Sequence, residues 1–229
     1  MGKLQGWEQT SQSKLKPFVL FDIDGTVLQN SPRQLEILRQ ILIPSFASLQ
    51  NNAQVDALLT STFHKYSILS ELHKHLPFSH QFVAIKEEFI THFLSNRFLH
   101  HDTFNPGVKH FIRSLIQNQI NIKFITGRPE NLMKEGTIQS LKSILPADFN
   151  FNASLYMKPS PEIDDFEFKE HFLSTNISDF TSQMLAYIDN EAPICHFVEK
   201  KFPGSIITHF DSPQTSSMTF SGYILDSWA

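Results

Sequence analysis

Phe18-Val-Leu-Phe-Asp-Ile-Asp-Gly-Thr-Val-Leu28 is an apolar run broken by two carboxylates two residues apart and followed at once by Gly-Thr. Residues at that separation on a strand share a face, so Asp22 and Asp24 point the same way. Their repulsion has to be offset by a cation or relieved by protonation. Such a pair weakens a strand end and suits a metal site. Gly25 lets the backbone leave the strand sharply, and Thr26 can hold the loop through its side chain.

On the N-terminal side, residues 1–16 are polar and carry no periodic apolar pattern, so they read as a loose leader before Pro17. On the other side the pattern becomes helical. Ser31-Pro32 reads as an N-cap with proline at the first helical position, and Leu35, Ile37, Leu38, Ile41 and Leu42 recur at helical spacing. Further helical patterns cover 53–75 and 79–99, so residues 28–103 read as a helical insert without a strand. Asn105-Pro106-Gly107 then opens a helix over 108–119. Apolar strands follow at 120–125, 153–157, 184–188 and 205–210, with helices at 130–144, 166–173 and 193–200 between them. Alternation of this kind predicts an α/β fold with a doubly wound parallel sheet, whose active site lies beyond the carboxyl ends of the strands. Asp22, Asp24, Thr126 and Asp189 all stand at such ends. The expected division is an α/β core of residues 1–27 and 104–229 around a helical unit of 28–103.

The 229 residues include 41% hydrophobic side chains and 22 Phe, enough for a large aromatic core. A net charge of -4 gives no basic field for bulk nucleic-acid binding. Cys195 is the single cysteine, which forbids an internal disulfide and fits a reducing compartment. No apolar run reaches bilayer length, and Gly6 stands where a myristoylation signal wants Ser or Thr. The expectation is a cytoplasmic protein without a membrane partner; oligomeric state is not readable.

Asp22-Ile-Asp-Gly-Thr26 resembles the first motif of the haloacid dehalogenase superfamily, most of whose members are Mg²⁺-dependent phosphatases, and the helical insert resembles that family's C1 cap. The resemblance implies that Asp22 is the nucleophile that takes a phosphoryl group and that Asp24 is the general acid and base. The chemistry agrees: a carboxylate attacks phosphorus only where a cation offsets its repulsion from the anionic substrate, and a second carboxyl can protonate the leaving oxygen and then activate water. Dehalogenases lack an acid at the second position, so the phosphatase reading is preferred. Thr126-Gly-Arg-Pro129 resembles the second motif, in which Thr126 and a following N–H hold a phosphate oxygen at a helix start. Gly127 and Arg128 are further candidates for contact with the phosphate.

The third motif requires a lysine, and two candidates stand in the chain. Lys158 in Met-Lys-Pro-Ser-Pro-Glu resembles the form found in capped sugar-phosphate members. Lys169, four residues after Asp165 and about twenty before Asp189, resembles the form in polynucleotide-end phosphatases, and the spacing favours it. Asp189-Asn-Glu191 occupies the fourth-motif position, with Asn190 where a second Asp is usual and Glu191 able to compensate through a water. Asp22, the Asp24 carbonyl and Asp189 would then hold Mg²⁺ among hard oxygens. The partner implied is a small phosphorylated substrate. A phosphotransferase or mutase shares every motif, and a non-catalytic binding protein on the same fold is the alternative from another class. The seven histidines from His64 to His101 read as solvated, and Phe82, Phe89, Phe93 and Phe98 as the cap's own core.

Overall fold

The computed structural model describes residues 16–45, 80–211 and 220–228; residues 1–15 of the leader and the whole helical pattern over 53–75, with His64, His73 and His75, lie outside them. Six strands form one parallel sheet: β1 (Phe18–Asp22), β4 (Asn121–Pro129), β5 (Leu155–Lys158), β6 (Met184–Asp189), β7 (Ile206–Phe210) and β8 (Tyr223–Leu225). Their spatial order is β5-β4-β1-β6-β7-β8. The chain runs from β1 outward through β4 and β5, then returns to start β6 on the other flank. That reversal beside β1 opens a crevice at the strand ends, where Asp22 lies level with Ile125 of β4.

All five residues of β1 are buried, because both sheet faces are covered. Phe18 and Leu20 pack into one core layer with Phe168 and Leu173 of α6 (Asp165–Thr175) and Ile194 and Val198 of α8 (Ala192–Lys201). Val19 and Phe21 point the other way, toward Val108 and Ile112 of α3 (Val108–Gln117) and Leu141 of α4 (Glu130–Lys142). Trp228 closes this second layer and stacks on Phe210. The short α5 (Phe151–Ser154) and α7 (Ile177–Thr181) complete the connections.

Three expectations change. The insert does contain strands: β2 (Leu28–Gln29) and β3 (Thr103–Phe104) pair antiparallel where the chain leaves and re-enters the α/β part. Two-residue strands carry no readable period. The pattern over 79–99 divides into α2 (His80–Phe93) and a 3₁₀ segment, Asn96–His101, begun by the Ser95 side chain accepting from the Arg97 N–H. Finally, β4 continues through Thr126-Gly-Arg-Pro129 instead of stopping at Ile125, while α7 and β8 were not expected. Helix α1 (Ser31–Ser45) packs on α2 and on the 3₁₀ segment, which in turn rests on α4. Among the described residues no helix is long and apolar enough to cross a membrane.

Candidate active site

Strand β1 delivers Asp22 to its carboxyl end, and the chain then turns through Gly25, whose φ of 84° falls in the left-handed region that glycine tolerates. A Cβ at this position would also strike the Asn190 side chain. The Asn105 amide donates to the carbonyls of Gly25 (3.2 Å) and Thr26 (2.6 Å), and the Trp228 indole N–H donates to Thr26 as well (3.2 Å). The loop behind the two carboxylates is therefore tied to two distant parts of the chain. The sequence pattern pointed to neither anchor.

A cavity of about 410 Å³ opens over this loop. Asp22, Asp24, Lys158, Lys169, Gly127 and Arg128 all line it, together with Asn190 and Glu191. Thr126 and Asp189 are fully buried just behind that surface. The Thr126 hydroxyl accepts from the Arg128 N–H at 3.2 Å, a turn bond that shapes the Gly127 segment.

Of the two candidate lysines, Lys169 reaches the carboxylates. Its Nζ lies 2.8 Å from Asp22 Oδ1 and 2.8 Å from Asp189 Oδ2, all three side chains being buried. Burial alone works against its charge, but Asp189 and Asp22 outweigh that and hold the ammonium well above its ordinary pKa. Tyr187 donates its hydroxyl to the same Asp189 oxygen, and the Glu191 N–H donates to the other at 2.9 Å. Asp22 Oδ2 is buried with no hydrogen-bond partner. Burial pushes the Asp22 carboxyl well up, against the pull of Lys169. Lys169 thus meets two carboxyl groups with one positive charge, and Asp22, which lines the cavity, keeps one oxygen unpartnered. Lys158 pairs instead with Asp165, whose carboxylate lies against Gly127 so closely that a Cβ there would collide with it.

Asp24 sits in a different network. Arg128 grips it through Nε (2.7 Å) and Nη2 (2.8 Å), Asn30 donates at 3.2 Å and Arg33 at 3.3 Å. Arg128 Nη2 also reaches Asp102 Oδ2 at 2.6 Å, and Arg33 Nε lies 3.1 Å from Asp102 Oδ1 without hydrogen-bond alignment. The repulsion between Asp22 and Asp24 is thus met by protein cations, Lys169 for one and Arg128 with Arg33 for the other. Burial favours the neutral acid at Asp24, but the two guanidiniums overcome it and hold the carboxyl far below its ordinary value. Arg128, a candidate phosphate contact, spends its guanidinium on two aspartates and on the Thr137 hydroxyl. Asn190, in place of a second acid, accepts from Thr26 at 3.4 Å and so braces the loop.

The depressed Asp24 pKa fixes a sign. A carboxyl whose folded pKa lies below its ordinary 3.8 stabilises fully above that pH, and its contribution fades as the pH falls further. The gap in urea unfolding free energy between the wild type and Asp24→Asn should therefore shrink from pH 5 to pH 3. A gap independent of pH would show that the arginines do not hold Asp24 as an anion.

No protein-family model matches the chain, and no curated protein matches it in sequence. Solved structures do match. A haloacid dehalogenase-superfamily hydrolase of subfamily IA from Geobacter sulfurreducens is similar with a TM-score of 0.59 at 13% identity, over 95% of this chain and 95% of that one. A predicted phosphoglycolate phosphatase from Haemophilus somnus gives 0.58 at 12% identity, over 94% and 96%. CbbY from Rhodobacter sphaeroides, solved with phosphate and in mutant form with xylulose-1,5-bisphosphate, gives 0.51, at 14% and 13% identity respectively, over 93% of this chain and 95% of CbbY. The chain thus has the fold of haloacid dehalogenase-like hydrolases, with a six-stranded parallel sheet between helices.

Proposed function

We propose that the protein is a phosphatase that hydrolyses a small phosphate monoester through a phosphoryl group carried on Asp22. The observation that carries this reading is the Lys169 bridge between Asp22 and Asp189, which leaves Asp22 Oδ2 without a hydrogen-bond partner in a residue that lines the cavity beside Lys169, Lys158 and Arg128. A nucleophilic carboxylate needs a free oxygen, and this one has it. Lys169 would offset charge as phosphate approaches, the Gly127 segment at the cavity wall would meet the phosphoryl oxygens, and Asp24 would take the proton of the attacking water. Residues 28–103 would act as a cap that excludes water during transfer.

The residues suit Mg²⁺. Asp22, Asp189 and the Asp24 carbonyl are hard oxygen donors, and a single ammonium, Lys169, faces the two carboxyl groups. Among the described residues no three His, Cys, Asp or Glu side chains converge, so waters would complete the shell. Bound there, the ion would supply charge neutralisation for both the nucleophile and the anionic substrate.

The test is release of phosphate from p-nitrophenyl phosphate and a phosphometabolite panel, with Mg²⁺ and with chelator. Silence across the panel would favour a binding protein, and transfer to a second hydroxyl in preference to water would identify a phosphotransferase. The same assay separates the lysines: Lys169→Ala is expected to lower kcat about 100-fold or more, and Lys158→Ala chiefly to raise KM, by roughly tenfold. The opposite ranking would reassign the third-motif lysine.

A further inference from the structure

The side of the cavity formed by the helical insert is made largely of carbon. Helix α2 supplies Phe89, Ile90 and Phe93 from one face, Leu94 follows at its end, and Met133 of α4 joins them. The Phe89 and Phe93 rings stack with centroids 5.7 Å apart and planes 13° from parallel. The Arg33 guanidinium lies 4.2 Å over Phe93, which fixes that ring before any ligand arrives.

The polar side chains nearby are turned toward one another. Gln34 donates to Asn30 at 2.6 Å, Asn30 donates to Asp24, and Arg33 is shared by Asp24, Asp102 and the Phe93 carbonyl. Each of the two arginines is also matched by a carboxylate: Arg33 and Arg128 face Asp24 and Asp102, which leaves no net charge for a second anionic group. Taking the phosphatase reading as its basis, we propose that the group esterified to the phosphate is a flat apolar ring system, so that the substrate class is an aryl-type phosphate monoester and neither a sugar phosphate nor a bisphosphate. A volume of about 410 Å³ lies at the small-molecule end of ligand pockets and holds a phosphate with one or two fused rings. A ring laid on this shelf buries apolar surface against carbon. A polyol laid on the same shelf would strip water from hydroxyls that then face carbon, a loss of roughly a hundredfold by the measure of apolar pockets confronted with an added hydroxyl.

Aryl esters are intrinsically more reactive, so binding is the sharper readout. Calorimetric titration of the full chain with Mg²⁺ would compare inorganic phosphate, 1-naphthylmethyl phosphonate and the phosphonate isostere of glucose 6-phosphate. The naphthyl compound is expected to bind at least tenfold more tightly than phosphate, and the sugar isostere no more tightly than phosphate. Ile90 is 39% exposed, so Ile90→Asn should fold; it is expected to cut naphthyl affinity at least fivefold while phosphate affinity moves less than twofold, and Ile90→Leu should restore the preference. Tighter binding of the sugar isostere, equal weakening of all three ligands in Ile90→Asn, or no binding at all would overturn the inference. The two readings fail separately: naphthyl binding without Mg²⁺-dependent hydrolysis of naphthyl phosphate removes the phosphatase and keeps the ligand class. Hydrolysis together with preference for the sugar isostere does the reverse.

Discussion

Asp22→Asn is expected to eliminate phosphate release from every ester that the wild type cleaves, by at least about 10³-fold in kcat, and to do so without weakening the fold. The amide keeps the shape of the carboxylate and loses the charged oxygen that would attack phosphorus. The structural cost is small for a reason specific to this site. Asp22 is buried, and its Oδ2 has no partner. Burial already pushes its carboxyl toward the neutral form. Lys169 retains Asp189 at 2.8 Å when the Asp22 charge is removed, so no cation is stranded. Thermal denaturation without metal should give a Tm equal to or above that of the wild type. Residual activity above about a tenth would show that Asp22 is not the attacking group. Lost activity with a fall of many degrees in Tm would show that the carboxylate is structural.

What the sequence disclosed of this site, and what it hid, follows from how far each interaction reaches along the chain. The strand ends were legible because an apolar run that stops at a polar residue is a local pattern: Asp22, Thr126 and Asp189 each terminate or interrupt such a run, and the parallel sheet places them together. Lys169 was favoured over Lys158 by spacing alone, and it is Lys169 that contacts both Asp22 and Asp189. Arg33 and Asp102 gave no comparable signal. Arg33 lies one residue after a helix-starting proline and looks like an exposed position of α1, and Asp102 follows two histidines and looks like a solvated loop residue. Both side chains are fully buried because they join a charge cluster assembled across the fold, in which Asp102 meets Arg128 26 residues away and Arg128 meets Asp24 104 residues away. Trp228 and Asn105 were hidden for the same reason, since their bonds to the Thr26 carbonyl span 202 and 79 residues.

The buried network makes the largest stability prediction. Asp102→Leu should cost about 3–5 kcal/mol, read as the change in urea unfolding free energy at neutral pH. The Asp102 side chain is 0% exposed and lies between Arg33, also 0%, and Arg128, 2%. Removing it leaves two dry guanidiniums to share Asp24, whose side chain faces the cavity. Burial lowers the Arg33 pKa, with Asp102 the main opposing pull, yet an arginine does not discharge at neutral pH. The penalty of an uncompensated buried charge must then appear in folding. Deleting one charge of each sign avoids it. In Arg33→Met with Asp102→Leu, the bidentate Arg128–Asp24 pair remains neutral and carbon fills the vacated volume. The double variant should therefore be more stable than Asp102→Leu alone, with a coupling energy of about 1–3 kcal/mol. Additive losses would mean that the 3.1 Å approach of Arg33 to Asp102, which lacks hydrogen-bond alignment, carries no energy and that Arg128 alone holds the aspartate. Coupling would place the electrostatic junction between α1, the strand β3 that follows Asp102, and the Asp24 loop at the centre of the fold's stability. The orientation of Asp24 at the cavity would then depend on charges that never touch the substrate.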